Sequence, residues 1–120
     1  MKDEKSILYV VTTDALDKQY APLILAQTAK MMDLKPVVYY LGTSLKVLKP
    51  GEADKLKMGS FPSVAEMLQK TIDMEIPVYV CEASKQMLGW EKAELVSGVK
   101  IVGAGTLNDL ALESGATMWF

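Results

Sequence analysis

Apolar residues along the chain fall into short unbroken runs, separated by stretches with helical spacing, and this alternation sets the fold class. "SILYVVTT" (residues 6–13) is a continuous β-branched and aromatic run. A strand wetted on one face alternates apolar and polar positions, so this run predicts a strand buried on both faces. "PVVYYLG" (36–42), "IPVYVC" (76–81), "KIVG" (100–103) and "ATMWF" (116–120) predict the second to fifth strands. After the first strand a helix opens between residues 17 and 21 and runs to about Asp33. Tyr20, Leu23, Ile24 and Met31 share one face of it, and Pro22 must lie in its first turn. Ser63 and Glu66 form a capping box ahead of a helix with Val64, Met67, Leu68 and Ile72 as its apolar stripe. A short helix follows Cys81 and stops near Gly89, with another helical turn around residues 91–95. Thr106 can cap a last helix that ends near Gly115. Strands alternating with helices in this way specify an α/β protein: a five-stranded, mostly parallel sheet between two helical layers. The pattern does not give the strand order.

The connection at residues 42–61 is unusually long and apolar, with Leu45, Val47, Leu48, Leu56, Met58 and Phe61. It includes a short helix around 44–48 and a Pro50-Gly51 turn. These side chains fill the domain's own core, close over the strand ends as a lid, or are buried by another subunit. Burial by another subunit predicts a homo-oligomer, an expectation that the apolar C-terminal "MWF" and the Met31-Met32 pair reinforce.

Composition narrows the chemistry. The 120 residues suit one domain, residues 1–120, with no repeat or linker, and half are hydrophobic. A net charge of −2 gives no electrostatic footprint for nucleic acid or an anionic membrane. There is no histidine, and all 13 basic residues are lysines. Ser-His-Asp triads, Cys-His dyads, imidazole metal ligands and guanidinium clamps are therefore excluded. Cys81 is the only cysteine, which rules out an internal disulfide, a CxxC pair and a four-cysteine metal site. No metal or cofactor is expected. A lone thiol, an N-terminus "MKDEKSILYVVTTD" unlike a leader peptide, and no apolar run near the length of about eighteen residues of a membrane span together predict a soluble, cytoplasmic protein.

In open parallel sheets, ligands sit at the carboxyl ends of strands. The candidate positions are therefore Thr13 after the first strand, Gly42 and Thr43 after the second, and Cys81, Glu82, Ala83, Ser84 and Lys85 after the third. Cys81 stands where a strand becomes a helix, where amides and a helix dipole favour the thiolate. Lys85 adds positive charge and Glu82 opposes it. The plainer reading of Cys81 is a small buried hydrophobe. "GAGT" (103–106) is half a dinucleotide fingerprint, but the third glycine position is Asn108 and the motif follows the fourth strand, so a turn and a cap account for it. Asp14 and Asp17 could pair as carboxylates for metal or acid–base work, but a helix cap and a solvated loop are the plainer reading.

One longer pattern goes further. "CEASKQMLGW" followed by "ELVSGVKIVGAGT" resembles the cysteine segment of the DsrE/DsrF-like sulfur-carrier family. Cys81, Ser84, Met87 with Gly89, Glu94-Leu95 and Gly98-Val99 stand at matching places. Upstream, Asp17, Lys18, Ala26, Gly42, Leu45 and Leu48 do so as well. The resemblance spans nearly the whole chain. It implies a Rossmann-like α/β/α sandwich assembled into dimers, trimers or hexamers. It also implies a cysteine, Cys81, that carries sulfane sulfur as a persulfide, or thiosulfate as a thiosulfonate, between donor and acceptor partners. Some relatives have membrane segments or a second cysteine soon after the first, and this chain has neither. On this reading Cys81 is an accessible thiol of low pKa. Amides of residues 82–84 meet the charge of the bound group, with help from the Ser84 hydroxyl and from Lys85 or Lys46. The alternatives are an oligomeric binding module for a small anion, with Cys81 inert, and a thiol sensor oxidised to sulfenic acid.

Overall fold

The computed structural model describes residues 5–120, so the reading of the N-terminus as no leader falls partly on residues 1–4, which lie outside the described residues. Five strands form one sheet: β1 (Ser6–Val11), β2 (Lys35–Tyr40), β3 (Val78–Cys81), β4 (Lys100–Val102) and β5 (Ala116–Trp119). Their order is β4-β3-β2-β1-β5 and every pairing is parallel. The helices are α1 (Tyr20–Met31), α2 (Val64–Asp73), α3 (Glu82–Met87) and α4 (Ala104–Glu113).

This order decides which face each helix covers. The β1–β2 and β2–β3 crossovers move in one direction across the sheet, and right-handed connections then place α1 and α2 on the same face. The β4–β5 connection runs back across the whole sheet, which places α4 on the other face. Packing follows this division. Tyr9, Val11, Val38, Tyr40, Val78 and Val80 meet α1 and α2. Leu8, Val10, Tyr39 and Cys81, one residue out of phase, meet Leu107, Leu110 and Ala111 of α4. The continuous apolar runs thus divide by parity between two cores.

The long connection resolves in favour of its own core. It forms a 3-10 turn (Gly42–Leu48) whose Leu45, Val47 and Leu48 are buried among α1, α2 and the sheet. Met58 and Phe61 stay exposed, Phe61 lying edge-on to Tyr20. The expectation of an oligomer therefore loses most of the support it drew from this loop. Other departures are local. Tyr20 and Leu23 of α1 are buried, but Ile24 and Met31 are exposed and the buried face continues through Ala26, Gln27 and Ala29. Small side chains let α1 lie close to the sheet, and Gln27 Nε2 donates to the Met67 carbonyl and to Thr71 Oγ1 across to α2. Residues 91–95 form a turn and extended chain rather than a helical turn. Gly103, not Thr106, is the N-cap of α4, and Thr106 lies inside the first turn, its amide bonded to the Gly103 carbonyl.

The signals at the helix ends hold. Ser63 and Glu66 make both reciprocal bonds of the capping box. α3 stops at Gly89, in the left-handed region at φ 72°, with the Trp90 amide reaching back to the Lys85 carbonyl. Segment 88–99 then returns over the α1–α2 face, held by the Val96 amide on the Leu48 carbonyl at 2.8 Å and by Lys49 over the Trp90 ring at 4.5 Å. Gly98 closes this return at φ 95°, where a Cβ would stand 2.7 Å from Ile72 Cγ2. We expect Gly98→Ala to destabilise the protein by about 1–3 kcal/mol, through backbone strain and the clash with α2. Chemical denaturation measures this, and an unchanged midpoint would show that the turn tolerates a side chain.

Candidate functional site

Cys81 ends β3 and is the N-cap of α3, with extended backbone at φ −73° and ψ 119°. Strand parity turns its side chain toward the α4 face, beside Tyr39 of the neighbouring strand. The expected strand-to-helix position is therefore observed. α3 has only six residues, so its dipole is small and individual hydrogen bonds dominate.

Ser84 is central to these bonds. Its Oγ accepts the Gly42 amide at 2.7 Å. The hydroxyl proton is thereby free to point at Cys81 Sγ, which Ser84 meets through both its hydroxyl and its amide. Gly42 is able to reach Ser84 because the chain turns sharply after β2. Its φ is 65°, and a Cβ there would lie 3.2 Å from the Thr12 carbonyl, so glycine fits where other residues strain. The Ala83 amide and the Tyr39 hydroxyl are the remaining donors to the sulfur. Burial pushes the Cys81 thiol up. The Ser84 hydroxyl and amide, the Tyr39 hydroxyl and the Ala83 amide outweigh that effect and hold it below the ordinary cysteine value. No charged group enters this balance.

The structure thus brings Cys81, Ala83, Ser84 and Gly42 together. Glu82 is next to Cys81 but its side chain is exposed and absent from the interactions that move the thiol. Lys85 is buried, and its Nζ donates to the Ala93 carbonyl at 3.1 Å. That ammonium ties α3 to the following loop instead of facing the sulfur. Lys46 lines a small recess with Asp14, Glu52 and Lys55, apart from Cys81. Thr13 organises the loop after β1: its Oγ1 accepts the Ala15 amide and its carbonyl accepts Gln19 Nε2. Thr43 is exposed on the 3-10 turn. Cys81 itself is only 7% exposed, less than the expected accessible thiol.

Two contributors escape the sequence reading. Tyr39 lies in the middle of an apolar strand and reads as core; only the pairing Tyr39↔Tyr79 and the shared parity with Cys81 bring it to the site. Gly103 accepts the Tyr39 hydroxyl on its carbonyl at 3.2 Å, joining the end of β4 to the same cluster. A recess of about 560 Å³ lies elsewhere, between α2 and residues 50–54 and 95–97, and contains none of these residues. The switch point between β1 and β5 is bridged by Thr12, whose amide and Oγ1 both donate to the Phe120 carbonyl, at 2.7 and 2.8 Å. Among the described residues no cluster of three or more cysteine, aspartate or glutamate side chains is placed to hold a metal ion, and no helix is long and apolar enough to cross a membrane.

Comparison with known proteins places this chain in a family. The chain is 30% identical to an uncharacterised protein of Methanocaldococcus jannaschii over 98% of its own length, and it spans 43% of that relative. It is 21% identical to the sulfur carrier protein DsrE2 of Allochromatium vinosum, covering 98% of this chain and 99% of that one. The crystal structure of the ychN protein from E. coli superposes with a TM-score of 0.74 at 16% identity, covering 98% of this chain and 99% of that one. A protein of unknown function, MTH1491 from Methanobacterium thermoautotrophicum, superposes at 0.69 and 15% identity, over 98% of this chain and all of the other. These two structures share the fold, a five-stranded parallel sheet with helices on both faces. A model of the DsrE/DsrF-like family matches residues 5–120, and the chain belongs to that family.

Proposed function

We propose that this protein carries sulfane sulfur, or thiosulfate, on Cys81 and passes it to an acceptor thiol. The observation that carries the reading is the set of neutral donors gathered on Sγ, which lowers the thiol's pKa despite burial. Family membership supports it, since the family is associated with sulfur relay and the Allochromatium relative is named a sulfur carrier. The 120 residues act in this reading as one domain.

The chemistry balances without an external oxidant. The Cys81 thiolate attacks the outer sulfur of a donor persulfide. A bond forms between that sulfur and Sγ, the donor's S–S bond breaks, and the donor leaves as a thiolate with the electron pair. An acceptor thiolate then attacks the same outer sulfur and Cys81 departs as a thiolate. From tetrathionate, the same attack leaves a thiosulfonate on Cys81 and releases thiosulfate. The Ala83 and Ser84 amides and the Ser84 hydroxyl meet negative charge on the bound group, and Gly42 holds Ser84 in place. Thr13, Thr43 and Glu82 would meet the approaching donor or acceptor from the ends of β1, β2 and β3. Lys85 supports the cradle from behind by fixing α3.

We further infer a homo-oligomer, from the α4 side of the sheet. No residue of α4 is fully buried, and Leu112 of α4 and Trp119 of β5, which shares the parity of Val10, are exposed. A second copy would cover this apolar margin.

Intact mass spectrometry after exposure to polysulfide or tetrathionate tests the carrier function. We expect a gain of one or more sulfurs, or of a thiosulfonate, in the unmodified protein and no gain in Cys81→Ser. Equal labelling of both, or of neither, would leave Cys81 inert and favour anion binding. The alkylation rate of the folded protein should reach its midpoint below the free-cysteine value of about 8.5. Ser84→Ala removes a donor to the thiolate, so its midpoint should move up by about one pH unit; an unmoved midpoint would remove Ser84 from the site. Light scattering at micromolar concentration should give a mass at least twice the 13.2 kDa of one chain. A monomer at all concentrations overturns the assembly.

A further inference from the structure

The Tyr39 hydroxyl has one proton and two acceptors. Its oxygen donates to the Gly103 carbonyl at 3.2 Å, and its ring packs in the same buried cluster as Cys81, whose sulfur is the second acceptor. We propose that Tyr39 is a positioning residue whose phenolic proton follows the charge on the Cys81 sulfur, bonded to Gly103 while the sulfur is a thiol and to the sulfur once it is a thiolate or a persulfide anion. The purpose of this exchange rests on the carrier reading above; the exchange itself does not.

The ring is fixed. Tyr39 is fully buried in the sheet among Leu8, Val10 and Cys81, so the oxygen stays in place and only the hydrogen turns. The bond given up is also not missed. The Gly103 carbonyl accepts the Thr106 amide at 3.1 Å as well, so releasing Tyr39 strands no acceptor. Burial raises the pKa of Tyr39 itself, which keeps the phenol a donor wherever a thiol titrates. In the thiol state Tyr39 donates to Gly103, the bond seen in the structure. When the sulfur loses its proton to solvent, the phenolic proton turns to the charged atom. An ionised acceptor bonds about twice as strongly as a neutral one, so the turn is downhill.

Charged groups do not offer a rival explanation. The elements around Cys81 carry Glu82 and Lys85 on α3, Lys100 on β4, Lys35 on β2, Asp109 and Glu113 on α4, and Lys46 on the 3-10 turn. The groups that move Cys81 are Ser84, Tyr39 and Ala83, and Tyr79 of β3 is not among them. The device is thus a hydroxyl relay in a site without imidazole or guanidinium.

Tyr39→Phe keeps the ring and deletes the proton. The alkylation midpoint of Cys81 should rise by about one pH unit, a roughly tenfold slower reaction at neutral pH, with an unchanged rate at the high-pH plateau. An unmoved midpoint overturns the proposal, since the hydroxyl then never leaves Gly103. So does an equal loss at every pH, which marks altered packing or access. A second measurement needs no variant of Tyr39. In the unmodified protein the Tyr39 Cζ resonance should titrate with the Cys81 midpoint, and in Cys81→Ser it should stay flat over that range. A resonance that is flat in both overturns the exchange even where Tyr39→Phe fails to fold. Sulfur uptake by mass is read separately. Uptake without Tyr39 dependence overturns only the exchange, and Tyr39 dependence without uptake supports the exchange and counts against the carrier function.

Discussion

The parallel pairing of β2 with β3 is the constraint on which the site depends. Val38 opposite Val78 and Tyr40 opposite Val80 are buried on the α1–α2 face, and slipping either strand by one residue would turn them to the opposite face. That register carries two consequences with it. It sets Tyr39 beside Cys81 on the opposite face, and it brings the turn at Gly42 level with Ser84. The site residues are thus placed by apolar burial on the far side of the sheet. The polar contacts then select one arrangement from a small number left open. The left-handed turn at Gly42, against the Thr12 carbonyl, locks the third strand end to the second.

The electrostatics follow from composition. A chain with lysine as its only basic residue has two routes to a stabilised thiolate: an ammonium or neutral dipoles. Lys85 is well placed in sequence, but the structure uses its ammonium to hold the Ala93 carbonyl. A buried ammonium beside the sulfur would need desolvation of two charges. Hydroxyls and amides avoid that: Ser84 accepts the Gly42 amide and keeps its proton for the sulfur, and the single Tyr39 proton is shared between the sulfur and the Gly103 carbonyl. They are also short range and weakly screened by salt, so they hold the sulfur without drawing anions from solution. Such a site suits a group that is carried and released.

The sequence was most legible where one residue type determines a backbone state. Continuous apolar runs mark β1, β2 and β3, Ser63 with Glu66 marks the start of α2, and Gly89 marks the end of α3. Cys81 at the strand end was legible for the same reason. What it hid depends on relations between distant segments. Tyr39 is an ordinary apolar position until β3 is placed alongside β2. Lys85 and Ser84 sit one residue apart in a single helix turn, and only the fold of the 88–99 loop decides that one faces it and the other the sulfur. Thr106 resembled a cap because threonine often is one; Gly103 took that role, because its extended backbone ends β4 where α4 begins. On α1, Ile24 and Met31 fitted the helical period, yet the narrow contact with the sheet chose the alanine and glutamine positions instead.

The two faces of the sheet are unequally finished, and the site lies on the thinner one. Among the described residues, two helices, the 3-10 turn and the 88–99 loop pack over one face and bury eighteen hydrophobic residues there, against four on the other. On the α4 side a single helix contributes no fully buried residue, and β5 at the sheet edge is exposed along its length. Yet Cys81, at 7% exposure, is already well covered by its own neighbours. Exposure of the apolar margin and seclusion of the sulfur are therefore separate properties of this face. The helix on this face begins at Gly103, the residue whose carbonyl holds the Tyr39 hydroxyl, so the site is tied to the less buried layer through one backbone carbonyl.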